Sequence, residues 1–157
     1  MQIRQLKEED IPLCANLASS LPLGKTYGFT VEGWIRKLKQ ARNEQGNLLF
    51  VAEEEDRLAG FAWVHTHGAF LAAPYLRFIA VDPSFQGRGV GTLLLKEFEE
   101  QTRNLKKDWF LLVSDFNTGA QQFYEKYGYQ RVGALPGFAK EGITEVIMVK
   151  KHEGRNS

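Results

Sequence analysis

The chain has 157 residues, 43% of them hydrophobic and 25% charged, with 20 Lys and Arg against 19 Asp and Glu for a net charge of +1. That is one domain's length, large enough to bury roughly 70% of its unfolded surface without a covalent staple. The single cysteine, Cys14, excludes an intrachain disulfide and a multi-cysteine zinc site, and the balanced charge argues against a nucleic-acid binder. No apolar run is long enough for a membrane span, and Met1-Gln2-Ile3-Arg4 lacks a signal core, so a cytoplasmic protein without a membrane partner is expected.

In chain order, Ile3 and Leu6 open a short extended segment. Asp10 is placed to cap a helix with Pro12 in its first turn, burying Ile11, Cys14, Ala15 and Leu17 and ending before Pro22. Residues 23–29 read as a loop. Thr30 caps a second helix carrying Trp34, Ile35 and Leu38. Residues 48–53 and 58–65 form a hairpin, the second strand alternating between two faces. Residues 68–74 read as a loop, and 75–81 as a strand closed by Asp82-Pro83. Val90, Leu93, Leu94 and Phe98 stand at helical spacing. The uninterrupted apolar run 109–113 suits a strand covered on both faces. Phe116, Ala120, Phe123, Tyr124 and Tyr127 mark a helix stripe ended by Gly128. Residues 129–135 and 144–150 complete the sheet, and 152–157 read as a polar tail. This order predicts an α/β sandwich around a mixed sheet, a single domain over residues 1–151.

The most informative stretch is Val81-Asp82-Pro83-Ser84-Phe85-Gln86-Gly87-Arg88-Gly89-Val90-Gly91-Thr92. A strand ends, a turn packs three alternate glycines, and a helix begins. Uncovered amides at a helix start form an anion site suited to phosphate oxygens, and Arg88 can add a charge-assisted contact. No Walker lysine follows, and Thr92 stands where a dinucleotide fingerprint needs glycine, which disfavours a nucleotide-phosphate binder.

Gln86-Gly87-Arg88-Gly89-Val90-Gly91 resembles the Q/R-x-x-G-x-G/A signature of the GCN5-related N-acetyltransferases, GNATs, particularly small bacterial or archaeal members. A second block agrees: Asn117 opens a helix containing Phe123-Tyr124-Glu125-Lys126-Tyr127-Gly128. The resemblance implies a GNAT-like α/β sandwich with a mixed, mostly antiparallel sheet and splayed central strands. It implies acetyl-CoA as acyl donor and no metal. Its pyrophosphate would lie on the amides of Arg88, Gly89, Val90, Gly91 and Thr92, near Gln86 and Gly87. Its pantetheine would pair beside Ile79, Ala80 and Val81, where a β-bulge aims an amide at the thioester, and would meet Asn117. Tyr124 would act as general acid for the departing thiolate.

The general base stays open. Arg77 and Leu112 stand near positions where relatives carry a glutamate, and neither supplies a carboxylate. His65 and His67 are candidates at the end of a hairpin strand, beside Asp115 and a water relay without a dedicated base. The acceptor site is expected among residues 21–34, 65–75 and 135–144, with Tyr27, Phe29, Trp34, Phe70, Tyr75 and Phe138 as lining and Glu32 and Glu141 as acidic groups. The expected acceptor is a primary amine: a small molecule, a protein N-terminus or a lysine. A polyamine or aminoglycoside acetyltransferase and a non-catalytic acyl-CoA sensor are the alternatives. A monomer or homodimer is expected.

Overall fold

The alternation of residues 57–69 sends Phe61 and Trp63 to one side of a strand and Ala62 and Val64 to the other, so this strand needs cover on both faces. The computed structural model describes residues 1–155 and supplies that cover. The elements are β1 (Gln2–Gln5), α1 (Ile11–Ser20), α2 (Pro22–Tyr27), α3 (Val31–Asn43), β2 (Asn47–Glu54), β3 (Arg57–Ala69), β4 (Ala73–Val81), α4 (Val90–Thr102), β5 (Trp109–Ser114), α5 (Thr118–Lys126), β6 (Gln130–Pro136) and β7 (Thr144–Lys150). The strands form one sheet in the order β1-β2-β3-β4-β5-β7-β6. Neighbours are antiparallel except β4 and β5.

Two hydrophobic layers sandwich this sheet. On one face Ile11, Cys14 and Ala18 of α1 and Trp34 and Leu38 of α3 pack on Phe61 and Trp63. On the other, Leu94, Leu95 and Phe98 of α4 pack on Phe50, Val64 and Leu111. Each such large side chain, fully buried, contributes about 1.5–3 kcal/mol. The close approach of α4 depends on Gly60, where a Cβ would lie 2.5 Å from the Ala80 carbonyl oxygen and 3.2 Å from both Val90 and Leu94. Among the described residues no helix is long and apolar enough to cross a membrane.

Four local expectations are corrected. The expected loop at 23–29 is mostly helix α2: Pro22 suits its first turn, and Gly28, at φ +71°, ends it. The β3–β4 hairpin is longer than expected, with Ala69 still paired to Ala73. Pro74 is tolerated inside β4 because the ladder to β3 is irregular there. Phe116 lies before α5 and is exposed, whereas Tyr129, beyond Gly128, is fully buried. The tail begins with a docked residue: His152 stacks on Trp109 at 5.3 Å, its N–H donates to Asp108, and its ring bonds the Arg103 carbonyl. Residues 156 and 157 of the expected tail lie outside the described residues.

Asp10 also does a different job from the expected one. It precedes α1 without a side-chain cap bond. Its carboxylate accepts both Arg4 guanidinium NH2 groups, at 2.7 and 3.0 Å, and the Lys7 amide at 2.7 Å. The Arg4 contact holds the Asp10 carboxyl below its ordinary value near 3.8. A depressed carboxyl stabilises the fold fully above its unfolded pKa and loses that contribution as pH falls through the folded value. Asp10→Asn is therefore expected to lower unfolding free energy by about 1–3 kcal/mol at pH 7, with the difference from wild type shrinking as pH drops below 4. Urea denaturation at both pH values checks this. An equal difference at both would remove the ionic explanation.

Candidate active site

The parallel contact between β4 and β5 is unusually short. Only Tyr75–Phe110 and Leu76–Leu111 pair, yet β4 runs on to Val81 and β5 to Ser114. The divergence begins at a bulge. Against β3, Leu76 pairs with Val64 and Phe78 with Trp63, leaving Arg77 as the extra residue. A bulge increases local twist and bends its strand. The facing backbone edges of β4 after Leu76 and of β5 after Leu111 are thereby left without strand partners, open to an extended ligand that carries amides.

A cavity of about 590 Å³ occupies this gap. The diverging strands contribute Leu76, Arg77, Phe78, Ile79, Leu112 and Val113. From α2 and its exit come Leu23, Tyr27 and Phe29, and from α3 Trp34, Arg36 and Lys37. Asn117, Ala120 and Tyr124 close it from α5, and Phe138, Ala139 and Glu145 from the β6–β7 side.

The glycine turn lies beyond Val81, outside the cavity lining. Gly87 and Gly89 adopt φ of +78° and +81°, the left-handed region that disfavours a side chain, and Gly89 is the N-cap of α4. The first backbone bond of α4 runs from the Leu93 amide to the Gly89 carbonyl, so the amides of Val90, Gly91 and Thr92 have no acceptor within the helix. Arg88 turns away from them: it pairs with Glu54 and lies 5.1 Å above the Phe85 ring. Gln86 is exposed, and Thr92 shares a 2.8 Å bond with the Tyr127 hydroxyl. Ile79 lines the cavity, whereas the Ala80 side chain is buried under the α1 and α3 layer.

Asn117 caps α5, its side-chain oxygen accepting the Ala120 amide at 3.2 Å. One turn on, Gln121 is buried and donates to the carbonyls of Ser114 and Asp115, at 2.8 and 3.2 Å. This clamps α5 to the end of β5 and sets where Tyr124 stands. The Tyr124 ring packs on Phe123 and Tyr129, while its hydroxyl makes no hydrogen bond among the described residues. Burial, reinforced by the nearby Tyr75, pushes its pKa above the ordinary phenol value, so it is a proton-bearing donor at neutral pH.

On the β6–β7 side of the cavity stands Glu145, which the sequence reading missed. It is 7% exposed and pairs with Ser114 in the sheet. The Tyr27 hydroxyl donates to it and shares a 2.7 Å bond with the Ser114 hydroxyl. Burial and the Glu145 contact push the Tyr27 pKa up to about 12. Glu145 is the one carboxylate lining the cavity among the described residues. Glu32 and Glu141 do not line it, and Asp115 is exposed.

His65 and His67 are likewise absent from the lining. They sit at the outer end of β3, where His65 Nδ1 accepts the His67 amide at 3.1 Å and His67 contacts Thr66. Of the expected 65–75 segment only Tyr75 reaches the cavity; Phe70 is exposed and packs against Phe110. No group of three metal-ligating side chains occurs among the described residues.

The family model of the acetyltransferase (GNAT) domain matches residues 26–152. The N-alpha-acetyltransferase RimI of Mycobacterium tuberculosis is 30% identical over 153 residues, 97% of this chain and 92% of that protein. A mycothiol acetyltransferase of Gordonia bronchialis is 36% identical over 85 residues, but this chain spans only 27% of that relative's length with 54% of its own. The crystal structure of an aminoglycoside 6′-N-acetyltransferase complexed with coenzyme A superposes with a TM-score of 0.80 over all of both chains at 18% identity, which is a likeness of fold.

Proposed function

Since the chain belongs to the GNAT acetyltransferase family, we propose that it transfers the acetyl group of acetyl-CoA to a primary amine by direct attack in a ternary complex. The observation that carries this reading is the unbonded Tyr124 hydroxyl beside two strands that stop pairing. The residues present fit the cosubstrate: the unpaired β4 edge from Arg77 to Val81 suits the pantetheine amides, and the amides of Val90, Gly91 and Thr92 suit a pyrophosphate. When bound, acetyl-CoA supplies an activated thioester.

The chain's own groups orient the reactants and move protons. A C–N bond forms as the C–S bond breaks. The ammonium gives up one proton before it attacks and a second once the C–N bond has formed; the departing thiolate gains one proton and the other passes to solvent. Tyr124 donates to the sulfur. Glu145, fixed by Tyr27, attracts the ammonium and receives its proton through water. Ser114 and Gln121 hold the two ends of this pair in register. Retention of a proton-bearing Tyr124 supports an enzyme over a silent acyl-CoA sensor. A single cavity carboxylate supports a singly charged amine over a polyamine or aminoglycoside, which would want several.

A free-thiol release assay tests this on N-terminal peptides, lysine peptides, small primary amines, polyamines and aminoglycosides. Thiol release coupled to an N-acetylated product is expected with a primary amine. Turnover confined to alcohols or thiols would defeat N-acetylation, and preference for a polycation would defeat the acceptor ranking alone.

A further inference from the structure

One wall of the cavity carries three exposed cations, Arg36, Lys37 and Arg77. Lys37 lies 5.8 Å from the Phe29 ring and 5.6 Å from Trp34. Arg77, at the β4 bulge, lies 4.4 Å from the Trp63 ring, and Trp63 packs 5.9 Å from Trp34. Arg36 lines the same wall. None of these three cations forms an ion pair among the described residues. Aromatic faces hold Lys37 and Arg77 in place without neutralising them. Partial burial of its stem, and after it the guanidinium groups of Arg77 and Arg36, hold the Lys37 pKa below the ordinary lysine value.

Trp34 backs these cations as packing: it is 4% exposed, and its Nε1–H, the one buried side-chain polar atom without a partner among the described residues, is closed to solvent and so out of reach of a ligand in the cavity. The Glu145 carboxylate is already held by Tyr27, on the β6–β7 side of the cavity. The cations are also poorly placed for the phosphates of acetyl-CoA, because Arg77 precedes Val81 by four residues, about 13 Å of strand, and the α4 amides lie beyond that.

We propose that the acceptor is an amine carrying its own anionic group, a carboxylate or phosphate, which seats on Arg36, Lys37 and Arg77 while the amine is held at Glu145. This rests on the N-acetyltransferase reading and narrows its substrate class. It places acidic N-terminal peptides and amino acids ahead of simple alkylamines, and diamines last.

The test is a ladder of ω-amino carboxylates of increasing length, each compared with the alkylamine and the diamine of equal length, with ω-aminoalkyl phosphates as a parallel arm. Steady-state thiol release gives KM, and isothermal titration without acetyl-CoA gives binding. At the best length the anionic amine is expected to have KM at least about 10-fold below its alkylamine, with the diamine highest. In Lys37→Gln and Arg77→Gln that ratio falls to near unity, and in wild type it shrinks with added salt. The phosphate arm decides which anion is preferred. Equal KM across the three charge types, a preference for diamines, or an unchanged ratio in both variants would overturn the proposal while leaving acetyl transfer standing. If no amine supports thiol release the enzymatic reading fails instead, and titration then decides the anion site. Binding of the amino carboxylate that Lys37→Gln weakens would uphold the site, and no binding would end it.

Discussion

Tyr124→Phe is expected to lower kcat by roughly 10- to 1000-fold while leaving fold and acetyl-CoA binding in place. The ring supplies the packing on Phe123 and Tyr129, and the hydroxyl bonds nothing within the described chain, so its deletion strands no partner. Because burial raises this phenol's pKa above the ordinary value near 10, it stays protonated through the neutral and mildly alkaline range. Wild-type kcat should therefore show no loss of the acid below pH 10. Single-turnover measurements with acetyl-CoA bound isolate the chemical step. A wild-type rate for that step in Tyr124→Phe would eliminate the phenol as proton donor.

Glu145→Gln is expected to lower kcat/KM at pH 7 by roughly 100-fold. The amide can still accept the Tyr27 hydroxyl, which keeps the local geometry, but it can neither attract an ammonium as an anion does nor take its proton. A lysine-type amine has a pKa of about 10.4 and a peptide N-terminus about 8, and below that value the deprotonated fraction rises about tenfold for each pH unit. The deficit in Glu145→Gln should accordingly narrow toward alkaline pH. A role limited to bracing Tyr27 predicts the same loss in Tyr27→Phe and no narrowing with pH. Unimpaired kcat/KM in folded Glu145→Gln at pH 7 would leave the water relay as the route for the proton.

What could be read from the sequence was whatever the backbone demands locally. The glycines of the 86–91 turn stand out because Gly87 and Gly89 need a left-handed φ that other residues resist, and the apolar run of β5 because both its faces are covered. Thr30 capped α3 as its position implied. Glu145 was hidden because its meaning is entirely tertiary. At the second position of a strand a charged residue looks like a solvated end, and nothing local shows that Tyr27, far earlier in the chain, reaches it. Gln121 was passed over for the same reason: a polar residue on a helix gives no sign of the carbonyls it will meet. His65 and His67 are the opposite case, legible in sequence but absent from the cavity lining. Their chemistry suits a base, but the register of β3 puts them at its outer end.

The two-pair contact between β4 and β5 has a consequence for the molecule as a whole. It makes the sheet two half-sheets, β1–β4 and β5–β7–β6, spliced over Tyr75–Phe110 and Leu76–Leu111. An extended ligand lying between them, bonded to β4 along its unpaired edge, would serve as a missing rung in the folded architecture as well as a reactant. Its binding energy then adds to the cooperativity between the halves, by about 2.7 kcal/mol when it is present at a hundred times its Kd. Such a protein is most rigid while it holds its donor and loosest at the moment of product release, so the resting stability of the fold follows the supply of the molecule it consumes.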